Sequence, residues 1–307
     1  MADEPSQSVE CKPEPEPEPA VGVPQSTCVP KAPEPLRSET VWMPYGDIVL
    51  QAELTQFRVN RDILALQSSV FRDMFLVPQP ADAPTVDGCP LVHLADDKAN
   101  EWELLLDLLY DPYISETELT LSSIEVMLSL GRKYDMAKLW KHAVFCIRCD
   151  FPKDKSKFDM IQSNVDMPKN ISNEAGSEVV LLNLADTHGI RTSIPTLALE
   201  CLKKYSMLKH YVWLELDNES VIPVDDCSAG DCDADRGKIH RAVMRGRPGE
   251  RYLLLETWDQ LNCNNFVCPP CADAAEERWK ADRVVVWGNL PGWFGLPKWK
   301  ELKDDVQ

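Results

Sequence analysis

Residues 46–75, GDIVLQAELTQFRVNRDILALQSSVFRDMF, constrain the fold more than any other stretch. They open as a strand, with Ile48, Leu50 and Ala52 on one side and Asp47, Val49 and Gln51 on the other. One side is expected to be fully buried and the other, mixed by Val49 and Gln51, partly so. A second strand is expected at 56–59, followed by a turn or helix cap at Asn60, Arg61 and Asp62. Ile63, Leu64, Leu66, Val70, Phe71, Met74 and Phe75 then recur at helical spacing, and Ser68 or Ser69 can cap a second helix. A hairpin feeding two short helices cannot bury its apolar surface alone, so later residues must complete the core.

Those later residues follow in the next stretch. Prolines and a glycine make 76–90 a loop, and 91–94 reads as a short strand. Asp96 or Asp97 is placed to cap a helix on which Trp102, Leu105, Leu106, Leu109 and Tyr110 form one apolar stripe. Ser122 or Ser123 starts another helix, with Ile124, Met127 and Leu128 inward, and a last helical stretch runs through Met136, Trp140, Ala143, Val144 and Ile147.

The first stretch resembles the BTB/POZ domain family. That family's signature places an aspartate before an apolar strand and a phenylalanine on the second strand. His-Arg/Lys-x-Ile/Leu-Leu-Ala and Ser-x-x-Phe-x-x-Met-Phe follow. Asp47, Phe57, Arg61, Ile63, Leu64, Ala65, Ser68, Phe71, Met74 and Phe75 match it, and Asn60 departs from it where the family carries histidine. The order of elements through 150 is similar as well. The resemblance implies an α+β fold: a BTB/POZ domain, a short sheet flanked by helices, followed by a mainly α-helical C-terminal domain. It also implies a non-catalytic interaction module that self-associates or makes adaptor contacts, with a cullin-based ubiquitin ligase as an alternative setting. A charged patch at Asp47 and Arg61 and contacts at Phe71, Met74, Phe75, Leu76 and Tyr110 are what it implies for the interaction site. The loop after Phe75 carries no glutamate, where cullin-binding members often have an apolar-x-Glu motif.

Domain boundaries follow from composition. Nine prolines fall in the first 35 residues, and eight acidic residues oppose three basic ones through residue 40. Such a segment cannot offset its ordering entropy by apolar burial, so 1–40 is expected to be a disordered tail. The BTB-like region occupies 41–150, the polar stretch 151–176 reads as a linker, and 177–307 as a helical C-terminal domain. In that last region a helix is expected to end at His188 and Gly189, with His188 favouring the helix dipole. Pro195 suits the first turn of the next helix, and further helices are expected near 236–245 and 250–261. The tryptophan- and proline-rich end is expected to pack back onto the domain. The region looks like the helical part that accompanies BTB domains in mushroom-forming fungi.

A formal net charge of −18 argues against nucleic acid and anionic membranes as main partners, leaving proteins. The first residues lack a secretory pattern, and the longest apolar clusters fall far short of the roughly 20 residues a membrane helix needs. An intracellular location, cytoplasmic or nuclear, is expected, with the eleven cysteines as thiols.

Cys263, Cys268 and Cys271 form C-x4-C-x2-C, with Cys227, Cys232 and His240 upstream. Three thiolates and a fourth ligand can close a tetrahedral zinc site. Pro269 and Pro270 remove backbone donors from the turn, and no second C-x2-C pair is present, so packed or surface thiols are the first reading and zinc the second. No cofactor is therefore expected. There is no GxSxG, phosphate loop, GxGxxG or HExxH, and the histidines are isolated, so no enzyme is expected.

Overall fold

The computed structural model describes residues 34–80, 82–110, 118–163, 168–172, 174–205, 227, 232, 255–261 and 267–305. Strand β1 (Leu36–Trp42) comes first, so the expected tail ends sooner than residue 40; residues 1–33 lie outside the described residues. Strands β2 (Ile48–Ala52) and β3 (Thr55–Val59) form the expected antiparallel hairpin across a Glu53-Leu54 turn. Ile48, Val49, Leu50 and Ala52 are all buried, so only Gln51 keeps the second face of β2 mixed. Gly46 precedes this hairpin because a Cβ there would meet Arg58 Cγ at 2.8 Å and the Val59 carbonyl oxygen at 2.9 Å.

Helices α1 (Arg61–Gln67) and α2 (Ser69–Leu76) follow. Ser68 accepts a hydrogen bond from the Phe71 backbone N–H, the capping role expected of it. Asn60 stands at the N-cap of α1 but does not cap with its side chain; instead its Nδ2 donates to the Tyr45 carbonyl. Strand β4 (Thr85–Val86), inside the expected loop, forms a second hairpin with β5 (Cys89–Leu94), which contains the strand expected at 91–94. Asp87 and Gly88 both take positive φ there, as a two-residue hairpin turn requires. The five strands run in the order β1-β3-β2-β5-β4, with β1 parallel to β3 and β5 parallel to β2.

Helix α3 (Ala99–Tyr110) buries Trp102, Leu105 and Leu106, and α4 (Leu121–Lys133) and α5 (Ala137–Asp150) bury the expected stripes. One expected cap is corrected: the Ala99 N–H donates to Glu53 Oε2, leaving Asp97 for other partners. Helix α4, expected to start at Ser122 or Ser123, starts at Leu121, and Thr120 caps it by accepting from the Ser123 N–H.

The stretch read as a linker contains helix α6 (Lys155–Ser163), which buries Phe158. Its polar run sits on the solvent side while one aromatic anchors it. Helix α7 (Ser177–Thr187), a short 3-10 turn (Arg191–Ser193) and α8 (Ile194–Tyr205) come next. Leu181, Ala185, Ile190 and Leu197 belong to the same buried cluster as Leu50, Phe57, Ile124 and Ile147, so the sheet, α3 to α5 and α7 to α8 share one core. His188 caps α7 but is buried, and burial followed by the nearby Arg132 charge lowers its pKa. It is thus held toward the neutral form and does not serve as the expected cation on the helix dipole.

Of the expected 250–261 helix, α9 (Trp258–Leu261) is described, and the one near 236–245 lies outside the described residues. The C-terminal aromatic segment contributes to the 25-residue helix α10 (Pro269–Trp293). Val286, Trp287 and Leu290 of α10 pack with Phe158, Leu199 and Leu255 in a second core, against which Trp293, Phe294 and Trp299 lie. Trp287 and Trp299 stack at 5.1 Å, and Trp299 Nε1 donates to the Trp287 carbonyl. Asp304 accepts from Thr192 N and Oγ1 and from Arg148 Nε, so the chain end packs back as the aromatic density suggested. No described helix is long and apolar enough to cross a membrane.

Candidate functional site

The residues expected at an interaction surface divide between surface and core. Phe71 is buried, so it is corrected from contact residue to core residue. Its ring stacks on Tyr134 at 5.1 Å, meets Trp102 edge-on at 5.8 Å and lies 5.9 Å from Phe75. Met74 and Phe75 are half-buried against the main core, and Leu76 stands 78% exposed. Tyr110 is half-buried, its hydroxyl accepting from the Asn60 N–H. Burial, the larger cause, raises the Tyr110 pKa against that hydrogen bond.

Asp47 is exposed and accepts from the Arg61 backbone N–H at 2.7 Å, which fixes the first turn of α1. The Arg61 guanidinium lies 5.1 Å from the centre of the Phe75 ring. The two residues are therefore brought together through backbone and ring, with no ion pair between their side chains among the described residues.

Sequence reasoning missed part of the exposed apolar row. Leu66 of α1 is 72% exposed, and Val70, Leu76 and Val77 on and just after α2 are 43%, 78% and 60% exposed. Val70, the half-buried Met74 and, just past the end of α2, Val77 fall at i, i+4 and i+7, whereas Phe71 takes the inward side. Helical phase on α2 would have separated the two sets. Arg72 and Asp73 pair side by side on the same helix and are largely exposed.

A polar knot holds the inward side in place. Asp97 Oδ2 accepts from Trp102 Nε1 at 2.8 Å and from the Tyr134 hydroxyl, while Oδ1 accepts from Lys133 Nζ at 2.5 Å. Burial would raise the Asp97 pKa, but bonds from Lys133, Tyr134 and Trp102 outweigh it and the net shift is downward. The Tyr134 hydroxyl is raised by burial and by its carboxylate partner. Phe71, which α2 presents inward, thus packs between two rings that a single carboxylate fixes.

Far along the chain, the structure gathers Cys227, Cys232, Cys268 and Cys271, their sulfurs all within 4.8 Å of one another. Cys268 is the N-cap of α10 and Cys271 lies in its first turn. Trp258, Ala275 and Trp279 surround the cluster with Val267. Of the candidate ligands read from sequence, these four come together; Cys263 and His240 lie outside the described residues. The signal was a C-x4-C pair and a C-x2-C pair separated by 35 residues of intervening chain.

Against known proteins, no curated protein matches the chain. Its residues 40–148 match the BTB/POZ domain family, and that span takes in the last three residues of β1, the other four strands and α1 to α4, with all but the last two residues of α5. The chain thus carries a BTB/POZ domain, a protein–protein interaction module, ahead of a mainly helical C-terminal region.

Proposed function

We propose that the chain is a non-catalytic interaction protein that pairs with a second copy of itself through the α1–α2 face of its BTB domain. The exposed row Leu66, Val70, Leu76 and Val77 carries this reading. Clustered exposed apolar side chains mark partner surfaces, and interface cores are depleted of acidic residues, which number 50 against 32 basic ones in this chain. A two-fold contact places the same patch on both sides, so the adjacent Arg72 and Asp73 can each meet the opposite charge of the copy. An intracellular location accompanies this reading, supported by the described cysteines being joined in no disulfides.

The second reading is a heteromeric adaptor in which the same face docks a cullin-type ligase scaffold and the C-terminal region holds a target. The packing of α7 and α8 into the BTB core supports it, because a second surface then travels rigidly with the first. Light scattering on the full chain and on a Leu66→Asp/Leu76→Asp variant tests both. Self-pairing gives a dimer at micromolar concentration that the variant turns into a monomer of unchanged helicity. A monomer that captures a cullin scaffold, with capture lost in the variant, supports the adaptor. If the variant changes neither mass nor capture, the α1–α2 face is not the contact surface.

A further inference from the structure

We propose that Cys227, Cys232, Cys268 and Cys271 bind one zinc ion as a closed four-thiolate site that staples the chain after α8 to the start of α10. The distances fit a shared ion. A tetrahedron with Zn–S bonds of about 2.3 Å has sulfur–sulfur edges of about 3.8 Å. Cys227 and Cys268 stand 3.9 Å apart, and every pair in the set lies within 4.8 Å. A disulfide would need about 2.05 Å, and none joins these residues.

The prolines that argue against a site in the sequence instead help to build it. Pro269 and Pro270 occupy the first two positions of α10, where a missing N–H breaks no helical bond. They fix the turn so that Cys268 at the N-cap and Cys271 one turn on present their sulfurs to the same side. The backbone donor that remains is used: Cys268 N–H donates to Cys232 Sγ at 3.3 Å. Such a bond orients a thiolate, and the positive end of a 25-residue helix stabilises the negative charge of the set.

The surroundings say what kind of site this is. Four sulfurs complete a tetrahedron, leaving no open position for substrate, which is the mark of a structural centre. Soft thiolates select zinc over magnesium or calcium. Cys232 and Cys271 are buried, and Trp258 and Trp279 sheathe them, with Trp279 Nε1 anchored on the Glu256 carbonyl at 2.9 Å. The apolar company is small: Trp258, Ala275 and Trp279 are its only buried members besides cysteine among the described residues. A cluster of that size does not order a segment by burial alone, whereas metal binding contributes its free energy directly to folding. The site stands independently of the α1–α2 reading.

Metal analysis of the full chain purified without chelator should find about one zinc per chain. A Cys268→Ser/Cys271→Ser variant should lose it at least about tenfold, since two of four ligands are gone. Should that variant fail to fold, the unaltered chain decides. X-ray absorption should show a four-sulfur shell at about 2.3 Å, and cobalt substitution should give thiolate charge-transfer and tetrahedral visible bands. Metal-free folded protein, a disulfide within the set, zinc retained in the double variant, or a nitrogen ligand such as His240 in the shell would each overturn the assignment.

Discussion

Single side chains decide how the BTB core is fixed, and Asp97 bears most on it. Three donors converge on its two oxygens from α3, from α4 and from Tyr134 just beyond α4. An asparagine keeps one acceptor oxygen and turns the other into a donor facing donors. Asp97→Asn should therefore cost about 2 kcal/mol, read as a lower denaturation midpoint with the same slope. The sign with pH follows from the lowered pKa. Unfolded aspartate titrates near 3.9, so the contribution is complete above about that value and is lost as pH falls through the lower folded value. His188 acts in the same direction at higher pH. Its folded pKa lies below the ordinary value of about 6.5, so the unfolded chain takes up the proton first and stability falls as pH drops below that point. His188→Gln should flatten the melting temperature between about pH 6.5 and 5, whereas an unchanged slope would remove His188 as its source. The sequence marked His188 as a dipole partner because helix position is visible in a sequence. Its burial and the approach of Arg132 are products of tertiary packing and are not.

At the scale of elements, legibility tracks local pattern. Strands β2 and β3 and helices α1 to α5 announce themselves through alternation or a stripe, and all were readable. Strand β1 was not, because its burial does not alternate: Ser38 and Val41 are its buried positions and its pairing with β3 slips between Arg37 and Trp42. Buried Ser38 is satisfied locally, accepting from the Val41 N–H and donating to Glu103. Strand β5 was read at 91–94, but its hairpin partner β4 was overlooked although Asp87-Gly88 between apolar residues is a strong turn signal. Helix α10 was hidden by its glycines, its prolines and its lack of one clean apolar face. The cysteine set was half legible: the residue types were in view, but which four converge depends on the turn at Cys268 and on a return of the chain to it. These assignments make the tail testable. Deleting residues 1–33 should leave the melting temperature within about 2 °C, because β1 survives. Deleting 1–42 removes Val41 from the core and a whole edge strand, and should lower the melting temperature by several degrees, given that about 1 kcal/mol corresponds to roughly 2–4 °C in a chain of this size. Equal melting temperatures would mean that β1 contributes nothing.

For the whole molecule, the consequence lies in the shared core. Leu181, Ala185, Ile190 and Leu197 are buried in the cluster built by the BTB residues, and Leu119 bridges to Ile171 across the stretch read as a linker. Asp150 strengthens that bridge by accepting from the Asn170 and Ile171 N–H groups. A fragment ending at residue 150 would expose the faces that α7 and α8 cover. It should melt well below the full chain and bind hydrophobic dye, whereas a fragment that melts with the full chain would show that the two parts fold separately.

Asp304 meets Arg148 across 156 residues of sequence, and Asp305 meets the carbonyl of Gly189, where a Cβ would come within 2.8 Å of Asp305 Cβ. On the ribosome, at about 5–20 residues per second, Arg148 is made roughly ten to thirty seconds before its partner exists. Until then the Arg148 end of α5 stands uncovered, and so does the turn at Thr192 once it is made, 112 residues before Asp304. Chaperones that recognise incomplete surfaces have a defined window on this chain, and translation speed through the segment before Asp304 sets how long it stays open.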